Sequence, residues 1–211
     1  VRLMDALVTR PPADARSAAL LELLGRLQAL DYDFVTPTPS THALVRRRRA
    51  ARRETVLRDV FGWARPFTTD LLPPDLLDLV RRAGVVREAS DGLRLGVRVS
   101  SVDGRLFVHS APGRDRDAVF LGPDSYRFAR FLRQALERRA TVGAALDIGV
   151  GAGVGAATLA AACPGVRVVA TDVNPRALEL ARVNLAHAAL AVELVEASGL
   201  PAEPERFDVI V

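Results

Sequence analysis

The sequence predicts an α/β protein, with a parallel sheet and its crossover helices in the second half and a smaller helical unit in front. Three observations carry this. From about residue 114 onward, short apolar segments alternate with helical patterns, the order that builds parallel strands joined through helices. Those segments are apolar at successive positions, so both faces of the strands should be buried, and helices are expected on both sides of the sheet. Before residue 113 the pattern differs: leucines at helical spacing come first and an Asp-Gly turn between alternating segments comes last. We therefore expect an accessory domain at 1–113 and a sheet domain at 114–211.

In the first unit, Leu20, Leu21, Leu23, Leu24 and Leu27 form a broad apolar face on a helix over Ala18–Leu30. The prolines in TPTPST at 36–41 interrupt it, and a second helix starts near Thr41. A third helix over Pro74–Ala83 begins with proline in its first turn and stops at Gly84. Alternating stretches Leu93–Val99 and Leu106–His109 flank Asp103-Gly104, a hairpin signal. Helices followed by such a hairpin suggest a winged-helix-like module.

In the second unit, Tyr126, Phe128, Phe131, Leu132 and Leu136 mark a helix within 120–139. Strands at Ala144–Ile148, Val166–Thr171, Val192–Val195 and Phe207–Val211 follow, with helices Gly155–Cys163 and Pro175–His187 between the first three. The crossovers should be right-handed.

Composition limits the classes of function. Half of the residues are apolar and 26% are charged, a globular balance. No apolar run reaches the roughly 18–20 residues of a membrane span, and the first residues lack the charged head and apolar core of a secretory signal. The single cysteine, Cys163, can form neither an intrachain disulfide nor a multi-cysteine zinc site. A cytoplasmic protein with no membrane contact is expected. All 29 basic residues are arginine and the net charge is +4, which fits a nucleic-acid partner without arguing for one. Nothing in the sequence signals an oligomeric state.

The chemistry concentrates in two motifs. DIGVGAG at 147–153 lies where the first strand hands over to a helix. Gly149, Gly151 and Gly153 permit a tight turn and let a ligand approach the backbone, and the following helix aims its N-terminal amides at that ligand. TDVNPRAL at 171–178 follows the second strand. Asp172 is placed to accept hydrogen bonds from ribose hydroxyls, while Asn174 and Pro175 also suit the start of a helix. Gly151, Gly153 and Ala156 satisfy a dinucleotide pattern, which keeps a nicotinamide oxidoreductase as an alternative. Asp147 argues against it: an acid just before the glycines is unfavourable beside a pyrophosphate and favourable beside a cationic ligand. A third reading is a non-catalytic nucleic-acid-binding module.

The runs LDIGVGAGVGAATLA, ATDVNPRALELARVNL and VELVEASGLPAEPERFDVIV, preceded by GPDSYRFARFL at 122–132, resemble the front of a class I S-adenosylmethionine-dependent methyltransferase. The likeness is to the small-domain type that includes release-factor glutamine methyltransferases and ribosomal and transfer RNA base methyltransferases. It implies a Rossmann-like sheet ordered 3-2-1-4, S-adenosyl-L-methionine as cofactor, and N-methylation of a protein glutamine or a nucleic-acid base. Asp147, Gly149, Gly151 and Gly153 would surround the methionine end and Asp172 would hold the ribose. Ser198 falls where many relatives have an acid for the adenine amino group. The Asn-Pro-Pro-aromatic motif that holds the acceptor amine in this family would follow Val211, so the natural protein is expected to continue and the 211 residues alone to be inactive.

The arginines at 46–49, 52 and 53 could contact RNA phosphates. No aromatic residues interleave with them, and a solvated helix face is the preferred reading. His42, His109 and His187 show no metal-ligand spacing.

Overall fold

In the computed structural model, residues 14–48, 56–113, 115–139, 141–200 and 206–211 are described. Helix α1 (Ala15–Ala29) starts at Asp14, whose carboxylate accepts from the Ser17 amide at 2.8 Å, satisfying one of the amides a helix start leaves free. Leu20, Leu23, Leu24 and Leu27 are fully buried. Helix α2 spans Pro39–Arg48 and α3 spans Pro74–Arg82. Between them, Arg58–Gly62 forms a π-helical segment. The side chains of the arginine run at 46–53 lie outside the described residues.

Two hairpins follow. Strand β1 (Val86–Ala89) pairs with β2 (Gly92–Leu95), and β3 (Val97–Val102) pairs with β4 (Arg105–Ser110). The Asp103-Gly104 turn forms as expected, with both residues at positive φ, 49° and 74°. The single strand expected over Leu93–Val99 is instead split at Gly96 between two sheets. The Gly96 amide bonds to the Val85 carbonyl and its carbonyl accepts from Ala111, so the chain changes partners there. The second hairpin is no projecting wing either: every residue of β3 is buried, and β4 packs against α1 and α6.

Helix α4 (Pro123–Leu136) leads into strand β5 (Ala144–Ile148), helix α5 (Val154–Ala162), strand β6 (Arg167–Asp172), helix α6 (Pro175–His187), strand β7 (Glu193–Glu196) and strand β8 (Val209–Ile210). The four strands are parallel and ordered β7-β6-β5-β8, the 3-2-1-4 order of a Rossmann-like sheet. The helices differ from expectation: α5 and α6 share one face. A Cβ placed on Gly153, at the head of α5, would lie 3.5 Å from Ala181 of α6. The physical reason is the strand order, since two right-handed crossovers that move in one direction put both helices on one side. Ala145, Val168 and Ala170 face these helices, and the same apolar cluster continues through α6 and β4 to the leucines of α1.

Candidate functional site at the carboxyl ends of the strands

The carboxyl ends of β5, β6 and β7 bring their loops together at one edge of the sheet. After β5 the chain turns through Gly149, Gly151 and Gly153, all at positive φ (78°, 52° and 88°). An L side chain at these positions would be strained. The turn is anchored to β6 by the Gly149 and Val150 amides, which donate to the Thr171 carbonyl at 2.8 and 2.9 Å. A Cβ on Gly149 would meet nothing within 4 Å, so a side chain there would project into open space above the turn. That space is a cleft of about 180 Å³ whose wall includes Phe120, Asp124, Ser125, Phe128, Asp147 and Gly155.

Asp147 is the buried acid of this cleft, 4% exposed. Its Oδ2 accepts from the Ala156 amide in the first turn of α5 at 2.7 Å. Burial pushes its pKa up to about 6, opposed by that hydrogen bond and aided by the negative charge of Asp172. Gly155 must lack a side chain, because a Cβ there would come within 2.7 Å of the Asp147 carboxylate and 2.9 Å of the Phe128 ring.

Asp172 ends β6 half-buried. Its Oδ2 accepts from the Gly151 amide at 3.0 Å and its Oδ1 from the Asn174 amide at 2.9 Å. The carboxylate therefore braces the glycine turn and keeps lone pairs for a ligand. Asn174 caps α6, its Oδ1 accepting from the Arg176 amide at 3.0 Å, while its Nδ2 donates to the Asp117 carbonyl. Its side chain is thus engaged in holding the backbone. Ser198 is exposed in the loop after β7. That loop is tied to β6 through Ala197, which donates to the Asp172 carbonyl, and through Thr171, whose hydroxyl donates to the Gly199 carbonyl at 2.7 Å.

Sequence reasoning missed several participants. Asp124 and Ser125, at the start of α4, face the cleft. Val173, next to Asp172, is 64% exposed and Ile148 is 41% exposed, giving the strand ends an apolar rim. The largest omission is Asn184 of α6, fully buried. Its Oδ1 accepts from the Val108 amide at 2.8 Å, and its Nδ2 donates to the carbonyls of Val108 at 2.9 Å and Ala152 at 2.8 Å. One side chain thus joins strand β4 of the front unit to the glycine turn. The signal was present: Asn184 lies three and four residues after buried Ala181 and Leu180, on the apolar face of its helix.

Residues 118–211 match the model of the methyltransferase small domain family. Among curated proteins, the chain is 31% identical over 154 residues to ribosomal RNA small subunit methyltransferase C of Salmonella paratyphi B, covering 70% of this chain and 43% of that protein. It is 45% identical over 82 residues to the release factor glutamine methyltransferase of Deinococcus radiodurans, covering 38% of this chain and 30% of that protein. The chain therefore spans less than half the length of either relative. Among solved structures, a T. thermophilus 16S rRNA methyltransferase in complex with AdoMet and guanosine aligns with 60% of this chain and 38% of its own, at 22% identity and a TM-score of 0.43.

Proposed function

We propose that this chain, whose residues 118–211 match the model of the methyltransferase small domain family, is the cofactor-binding front part of an S-adenosylmethionine-dependent N-methyltransferase. The observation that carries the reading is a buried carboxylate, Asp147, in the wall of a cleft floored by side-chain-free glycines. A desolvated anion is costly unless a cation or donors meet it. The ammonium and sulfonium of S-adenosylmethionine suit that position, whereas the pyrophosphate of a dinucleotide does not. Asp172 would accept from the ribose hydroxyls, and Val173 and Ile148 would border the adenine. Exposed Ser198 would reach the adenine amino group with a weaker acceptor than a carboxylate.

S-adenosylmethionine supplies an electrophilic methyl carbon. The chain's own contribution is to hold the donor rigidly and exclude water, since alignment of the acceptor lone pair with the methyl carbon accounts for most of such catalysis. The acceptor nitrogen forms the new N–C bond, the S–C bond breaks with its electron pair left on sulfur, and the nitrogen's proton passes to water. The acceptor in this proposal is a glutamine amide or a nucleic-acid base; the names of the two relatives give ribosomal RNA for one and release factor glutamine for the other. A cytoplasmic setting belongs to the same proposal, and among the described residues no helix is long and apolar enough to cross a membrane. The division of labour is also proposed: 114–211 binds the cofactor and 1–113 serves as accessory wall.

Asp147 makes the reading testable by pH. Its folded pKa of about 6 lies above the ordinary 3.8, so the stability it contributes is fully present below about pH 3.8 and is lost as pH rises through about 6. The difference amounts to about 3 kcal/mol. A cation bound beside it favours the ionised form, so affinity for S-adenosylhomocysteine, which keeps the ammonium, should weaken as pH falls below 6, approaching about tenfold per unit. Calorimetric titrations between pH 5 and 8 should show this slope, and Asp147→Asn should flatten it. An unchanged slope in that variant would remove Asp147 from the cofactor site.

A further inference from the structure

Two aromatic rings border the glycine cleft on either side of its buried carboxylate. Phe128 of α4 is 37% exposed, and Phe120, just ahead of α4, is 63% exposed. Missing side chains place both of them. A Cβ on Gly155 would lie 2.7 Å from Asp147 Oδ2 and 2.9 Å from the Phe128 ring, so the carboxylate and the ring edge border one shared space. The Phe120 ring occupies the place that a Cβ on Gly122 would take. Its other side lines a second cavity of about 240 Å³, where the loop after α1 meets the segment leading into α4. Phe120 thus stands between two open spaces and outside the apolar core, and it can tilt toward a ligand without unpacking that core.

The charges of the cleft have one sign. Asp147 is buried in its wall and Asp124 is exposed at its rim, and among the described residues the wall holds no arginine or histidine. The face of a phenyl ring carries negative electron density, so rings and carboxylates pull on a cation together. Apolar walls alone would suit a neutral ligand as well as a charged one. The anionic, aromatic setting adds attraction for a cation only.

We propose that Phe120 and Phe128 make this cleft selective for the cationic sulfonium of the methyl donor over the neutral thioether of its demethylated product. The inference rests on the reading of the glycine cleft as the S-adenosylmethionine site. Aromatic walls are well suited to onium cations, which they attract through the ring face. Donor and product differ by one methyl group and one positive charge. The methyl group leaves without the bonding pair, so the sulfur becomes neutral in the same step. Attraction to the two rings ends with the reaction, and the product is released more readily than the donor. Both ligands keep the ammonium, the ribose and the adenine, so Asp147 and Asp172 meet them nearly alike and set affinity more than selectivity.

Calorimetric titration of the chain with S-adenosylmethionine and with S-adenosylhomocysteine, in parallel, reads the selectivity directly. The donor is expected to bind at least about fivefold tighter than the product. Phe120→Leu combined with Phe128→Leu keeps apolar bulk and removes both ring faces. It should bring the ratio below about twofold, chiefly by weakening the donor, with product affinity changed less than about threefold. Phe120→Leu alone alters a ring outside the core and should lower the ratio at least about twofold, so the test does not depend on the double variant folding. Binding of S-adenosylhomocysteine within fivefold of S-adenosylmethionine, or a ratio unmoved by the leucine substitutions, would overturn this inference and leave the cofactor reading in place. Failure to bind either ligand would overturn that reading and this inference with it.

Discussion

Replacing Asn184 with leucine is expected to lower the unfolding free energy by about 3–5 kcal/mol, a large fraction of what holds a domain of this size folded. Leucine has a similar volume, so the cost does not come from a cavity. It comes from three backbone groups that lose their partner inside the core: the Val108 amide, the Val108 carbonyl and the Ala152 carbonyl. Each buried group left unsatisfied costs about 1–3 kcal/mol. Asn184→Asp should be nearly as damaging, because it replaces the donor with an oxygen facing two carbonyls. Urea denaturation with a common slope would measure both. A loss under about 1 kcal/mol for either would mean that β4 and the glycine turn hold their places without this side chain.

Asp172→Ala is expected to weaken cofactor binding by roughly 1.5–3 kcal/mol, about 10- to 150-fold, as hydrogen bonds to a charged acceptor are lost. As a ribose-binding acid at a strand end, Asp172 is expected to matter much less to thermal stability than to affinity. The structure revises that expectation, because both carboxylate oxygens accept backbone amides, from Gly151 and from Asn174. A drop in melting temperature should therefore accompany the loss of affinity. Asp172→Asn keeps one acceptor oxygen and should fall between wild type and alanine in both measurements. Unchanged affinity beside a lowered melting temperature would restrict Asp172 to bracing the turn.

The sheet half was largely legible in the sequence because its signals are local. Ala144–Ile148 and Pro175–His187 are bounded by a glycine turn and by an Asn-Pro cap, and the structure keeps both sets of limits. The glycine turn and the cleft beside it were legible in outline for the same reason, since glycines at a strand end signal a tight turn with open backbone. The front half was less so. Strand β1, VREA, has two exposed and two half-buried residues and carries no alternation for periodicity to detect. The run Leu93–Val99 alternates without interruption, and only the long-range bonds of Gly96 to Val85 and Ala111 divide it. Asn184 shows the same limit from another side. In a helix, asparagine reads as a weakly favoured surface residue; its value here lies in bonds to Val108 and Ala152, distant in the chain. The cavity behind Phe120 is assembled from three separated segments and could not be read from any one of them.

Isothermal titration of this chain with S-adenosylhomocysteine and with NAD, at equal concentrations and at about pH 7.5, where Asp147 is ionised, decides the identity of the cofactor. Saturable binding of S-adenosylhomocysteine is expected, at least tenfold tighter than that of NAD, with the difference abolished in Asp147→Asn combined with Asp172→Ala. Tighter binding of NAD would contradict S-adenosylmethionine as that cofactor, because the buried carboxylate of Asp147 would then lie beside a pyrophosphate.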